Sequence, residues 1–139
     1  MSTETNKRMA RAFLESFDKG DFDAWRGAMA PGMVAHINGS EQAMNAAEFE
    51  GMVRVFAEAF ASGRHIIHGQ VAEGDWVATR LTWTAVHVGD FNGIPASQRP
   101  VQVDGGVYDR FVDGRIAEHR AHFDVMGLMT QIGALPAAA

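Results

Sequence analysis

Apolar residues recur at two periods along this chain, and the period changes once. In the first half Met9, Ala10, Phe13, Leu14 and Phe17 fall at the three- and four-residue spacing of an amphipathic helix that ends near Gly20. Asp21 can cap a short second helix carrying Phe22 and Trp25. After the Pro31-Gly32 break, Met33 to Asn38 (MVAHIN) reads as a short strand. Asn45 followed by Glu48 has capping-box spacing, with Asn in place of the usual Ser or Thr. It opens a helix whose Phe49, Met52, Val53, Phe56 and Phe60 form one stripe, ending near Gly63.

From His65 the period drops to two. His65 to Ala72, Trp76 to Val88, Val101 to Val112 and Arg115 to Phe123 are predicted as four strands. Gly74-Asp75 and Asp113-Gly114 supply tight connections, and Gly89 to Pro100 a longer loop. Gly105-Gly106 predicts a bend or bulge within its strand. Helices gathered ahead of a run of antiparallel strands predict an α+β fold, with the helices packed on one face of a curved sheet.

Composition narrows the function classes. A chain of 139 residues predicts one domain, 1–139, and 47% hydrophobic with 21% charged residues suits a globular protein able to spare volume for a ligand. A formal charge of −5, with no Lys/Arg cluster, argues against nucleic acid or an anionic membrane as partner. Cysteine is absent, so neither a disulfide framework nor a thiolate site is available. The N-terminal segment has no apolar core of a signal peptide and no membrane span, which makes a cytoplasmic protein the expectation. Residues 136–139 are expected to fray.

The densest chemistry follows the Asp113-Gly114 turn. Strand alternation puts Ile116, Glu118, Arg120, His122 and Asp124 on one face. Asp124 has two readings. A carboxylate desolvated in an apolar pocket can exchange protons near neutral pH. Equally, an Asp just before VMGLMTQIG is a good helix N-cap. His122 can relay a proton, or merely hydrogen-bond at the sheet surface. Arg120 can hold an anionic oxygen, or pair with Glu118 or Asp124. Tyr108, with Arg110 in the same phase, lies on the adjoining strand, and His36 is central in the first strand; all three are candidates for substrate binding. Phe13, Phe17, Trp25, Phe56 and Phe60 would line the apolar wall, and His87 would fix the loop after its strand. His65/His68 and His119/His122 have HxxH spacing, yet in strands residues three apart point to opposite sides, so no metal site is expected.

Together with its helical N-terminal half, nearly the whole chain resembles the SnoaL-like polyketide cyclases and ester cyclases of the nuclear-transport-factor-2-like superfamily. The resemblance rests on Gly74, Asp75 and Arg80, then on His87 with the GxFxGIP loop (Gly89, Phe91, Gly93, Ile94, Pro95). It continues with DGRIxE from Asp113 to Glu118, Asp124, and GLMxQxG from Gly127 to Gly133. It implies a cone-shaped curved antiparallel sheet with the N-terminal helices on its concave face, an open-ended cavity between them, and a homodimer through the sheet. It further implies intramolecular aldol condensation of a polyketide-like carbonyl compound without cofactor or metal, with Asp124 as general acid/base. Related members isomerise, hydroxylate or merely bind small molecules, so a ketosteroid-isomerase-like shuttle, a cofactor-independent hydroxylase and a non-catalytic binding or dimerisation module stand as alternatives. Arg120 and Asp109 depart from the family, which commonly has tryptophan and an apolar residue there. Two charges in those places suggest a more polar pocket or a fixed point for an anion.

Overall fold

A computed structural model describes residues 2–136, so the expectation that the chain end frays falls, for 137–139, outside the described residues. The elements run α1 (Thr3–Asp18), α2 (Phe22–Gly27), β1 (Met29–Ile37), α3 (Ala46–Ala59), β2 (Phe60–Glu73), β3 (Trp76–His87), β4 (Pro100–Val112), β5 (Arg115–Phe123) and α4 (Val125–Gln131). The fold is α+β, as expected: a five-stranded sheet in the order β1-β5-β4-β3-β2 with the N-terminal helices packed against it. Caps set the helix starts. Ser2, Asp21 and Asn45 each accept a hydrogen bond from a backbone N–H of the first turn, and Asn45 with Glu48 forms the complete capping box.

Two boundaries and one strand pairing depart from the sequence reading. The third helix ends at Ala59, because Phe60 already adopts extended backbone (φ −128°, ψ 126°) and begins β2. Pro31 and Gly32 lie inside β1, beside the register shift between Met29 and Val34. The sheet is antiparallel except at one edge, where β1 runs parallel to β5 and pairs Ala35 with His119. At Gly105 a Cβ would sit 2.5 Å from both the His122 carbonyl oxygen and the Phe123 ring. The glycine therefore serves close approach, while the bulge of this hairpin lies elsewhere.

That bulge decides which side chains face inward. Phe111 pairs with Ile116, but Arg110 pairs with Glu118, so Ala117 is the extra residue of β5. An extra residue inverts the side-chain phase beyond it. Ile116 points inward, and so do His119 and Ala121, while Glu118, Arg120 and His122 turn to the outer face. Two clusters of buried apolar residues form the core. One joins α1, α2 and α3 through Phe13, Trp25 and Phe49; the other joins β3, β4 and α4 through Trp83, Val103 and Leu128.

Candidate active site

Between the two clusters the side chains leave a cavity of about 200 Å³. Phe13, Phe17, Trp25, Phe49 and Phe56 wall it from the helices, and Trp83, Val103, Val107 and Ala121 from the sheet. Indole nitrogens apart, the polar side chains that line it are His119, His65 and Asn38.

His119 is the chemically distinctive one. It is 3% exposed and packs between Phe13 (ring centroids 5.5 Å) and Phe49 (5.1 Å). Its Nδ1 meets Asp109 Oδ1 at 2.5 Å, and Asp109 is fully buried. The two face each other across β4 and β5 only because Ala117 bulges. In an uninterrupted hairpin from the Val112–Arg115 pair, His119 would stand opposite Tyr108. The carboxylate accepts the Nδ1 proton and so fixes the ring's orientation and tautomer, leaving Nε2 for whatever enters the cavity.

His65 repeats the arrangement on another wall. Its Nδ1 donates to Asp18 Oδ1 (2.7 Å), and its backbone N–H donates to Asp18 Oδ2 (2.8 Å). Its ring sits edge-on to Phe17 at 5.7 Å. Asn38, with φ 50°, accepts the Phe123 backbone N–H at 2.8 Å and ties β1 to the end of β5.

The residues singled out from sequence divide sharply. Phe17, Trp25 and Phe56 line the cavity, as does Phe13. Phe60 does not: it is core, packed on Trp83 and His87, and it borders a neighbouring opening. Asp124 is exposed, and its Oδ1 accepts the Gly127 N–H at 2.9 Å as the cap of α4; the expected dry carboxylate is absent there. His122 is exposed on the outer face, because the bulge reverses the phase. For the same reason Arg120 lies outside, its Nε donating to Glu118 at 2.6 Å, with Arg110 near the same carboxylate at 3.7 Å. No anion point is thereby added to the pocket. Tyr108 stacks on Trp76 on the outer face, ring centroids 4.3 Å apart. His36 also lies outside, its Nδ1 donating to the Ser40 carbonyl at 2.9 Å.

Other expectations hold. His87 Nδ1 accepts the Ser97 backbone N–H at 3.1 Å and so fixes the loop. The members of each HxxH pair lie on opposite faces of their strands, with His65 and His119 inside and His68 and His122 outside. The HxxH spacing by itself does not mark the inward member of each pair. The legible signal was Asp109, a carboxylate in phase with Val101, Val103, Val107 and Phe111 on the apolar row of β4.

Comparison with known proteins agrees with this architecture. A profile of the SnoaL-like polyketide cyclase family matches residues 7–132. The aklanonic acid methyl ester cyclase DnrD of Streptomyces peucetius is 28% identical over 142 residues, covering 96% of this chain and 92% of the relative. Among solved structures, AclR of Streptomyces galilaeus, a candidate hydroxylase, superposes with a TM-score of 0.92 at 24% identity, over 99% of this chain and 87% of its own. IdmH of Streptomyces antibioticus, a candidate polyketide cyclase, superposes at 0.82 with 26% identity, over 92% and 98%. No helix among the described residues is long and apolar enough to cross a membrane. With its profile match, its cone of sheet and helices and its inner cavity, the chain belongs to the SnoaL-like polyketide cyclase family.

Proposed function

We propose that this protein closes a ring in a polyketide-like carbonyl compound by intramolecular aldol condensation, with His119 as the acid/base. The buried His119–Asp109 pair opening on an apolar cavity is the observation that carries the reading. With Nδ1–H held by Asp109, the Nε2 lone pair takes a proton from carbon beside a carbonyl. The resulting enolate carbon attacks a second carbonyl carbon of the same molecule, and that C=O electron pair moves onto oxygen. Imidazolium Nε2–H then returns its proton to the alkoxide. Every atom of the substrate is retained and the step draws on no cofactor. Asp109 stabilises the imidazolium in between, and the aromatic walls keep water from competing for the enolate. Such general acid/base assistance accounts for about 10²–10⁴ in rate.

The compound in the relatives' names is the first probe. Incubation with aklanonic acid methyl ester is expected to give a product of unchanged mass and new retention time, and no isomerisation above the buffer rate would contradict the reading for this substrate. The homodimer belongs to the same proposal. The outer face of the sheet carries exposed Ile66, Tyr108 and Val112, which supports it as the contact. Sedimentation at the monomer mass would overturn that part.

A further inference from the structure

We propose that the opening at the β2 edge of the sheet is a ligand subsite, in which a neutral carbonyl oxygen accepts the indole N–H of Trp83. The inference stands apart from the ring closure at His119. The opening, of about 260 Å³, lies between Asp18, Lys19 and Gly20 at the end of α1 and Ala61, Ser62 and Gly63 of β2. It shares Phe17, Phe56 and Trp83 with the cavity. Trp83 is 7% exposed, and its Nε1–H, which can only donate, has no partner among the described residues. Native folds rarely leave a buried donor unpaired, so each such case calls for an explanation.

Two features of β2 point at that same atom. Gly63 faces Nε1, for a Cβ added there would lie 3.2 Å from it. The φ of Gly63 is outside the left-handed region, so its backbone does not require glycine. What the missing side chain leaves is room beside the indole N–H, and a glycine within a strand often marks such a close approach. The second feature is a bulge. The register of this edge strand runs from Ala61–Val86 to Arg64–Thr84, which sets both Ser62 and Gly63 against Ala85 alone. Ser62 is held at φ 57°, a left-handed conformation that serine seldom adopts. Edge bulges and strained residues of this kind gather at ligand sites. Ser62 and Gly63 stand outside the pairing and are the part of the edge that yields as an oxygen approaches Nε1. The rim selects the oxygen. It lies at the C-terminal end of α1, the negative end of the helix dipole, which disfavours an anion. The free donor asks for an acceptor, and a neutral carbonyl supplies one without a charge.

The test titrates the whole ¹⁵N-labelled chain with cyclopentanone and follows the indole N–H signals of its three tryptophans, Trp25, Trp76 and Trp83. The Trp83 signal is expected to move downfield and saturate, as a donor does on gaining an acceptor. Trp76, stacked on Tyr108 at the outer face, should stay. Gly63→Ala, which sets a methyl group 3.2 Å from Nε1, should weaken the ketone about fivefold, the worth of one hydrogen bond. The indole signals themselves report that this variant is folded, and the wild-type titration is independent of it. An unmoved or upfield-shifted Trp83 signal, or equal affinity in Gly63→Ala, would overturn the subsite. A shift confined to Trp25, which walls the cavity, would place the ketone there instead and overturn it as well. None of these results bears on the reaction at His119, which turnover judges.

Discussion

The two faces of β5 differ by one residue of phase and by everything that matters for chemistry. The outer row, Glu118, Arg120 and His122, is rich in charge, but Arg120 is spent on Glu118 and His122 stands in solvent. The inner row, His119, Ala121 and Phe123, has one titratable group, which a buried carboxylate holds against a cavity. Density of ionisable groups marks a surface as readily as a site. What marks a site is a polar group that the fold buries, orients and leaves half unsatisfied.

The strongest way to break the inner row is to unpair it. His119→Leu leaves Asp109 buried without its partner and should cost about 3–5 kcal/mol in denaturant unfolding. Asp109→Leu with His119→Leu, which removes both, should recover most of that stability without recovering turnover. A double variant as unstable as the single one would show that the pair is a structural strut. A smaller effect belongs to Asp124. Asp124→Ala should cost about 1 kcal/mol through the lost cap of α4, whereas Asp124→Asn should melt within a few degrees of wild type, both keeping their turnover. Abolished turnover in Asp124→Asn would return the acid/base role to the outer phase of the strand.

A pH effect sits on the outer surface of the helices. Hydrogen bonds from Arg26 and then Arg54 hold the Glu50 carboxyl down at about 2 from its ordinary 4.5, joining α2 to α3. A depressed value means that this contribution is whole above pH 4.5 and fades as the pH falls toward 2. The wild type's advantage in melting temperature over Glu50→Gln should therefore narrow chiefly in that acid window; a gap constant from pH 7 to 2 would refute it. The smallest effect is expected on the outer row: Arg120→Trp should change stability by less than about 1 kcal/mol, as exposed ion pairs contribute little. It should leave turnover of aklanonic acid methyl ester unaltered, and reduced turnover would place Arg120 in the pocket after all.

Helix periods, caps and strand alternation were legible because each is a local rule that the tertiary structure did not override. Asn45 with Glu48 formed the capping box, and Asp113-Gly114 turned the hairpin. The site was not legible in the same way, since its face depended on Ala117. Nothing about an alanine announces a bulge, and one unpaired residue moves the predicted row Glu118–Arg120–His122 outside and brings His119 opposite Asp109. The parallel pairing of β1 with β5 was hidden for a related reason: it joins segments some eighty residues apart, beyond the reach of any local pattern. Asp109 itself was visible as a charge on an apolar row, and burial is what turns that irregularity into a requirement for a partner.

The account stands on His119, rather than its outward neighbour, being the group that moves the proton. Side-by-side turnover of aklanonic acid methyl ester by His119→Gln and His122→Gln tests this most directly. The expected result is a loss of about a hundredfold or more in the first and a change within about twofold in the second. Equal turnover in the two variants, or a loss confined to His122→Gln, would contradict it.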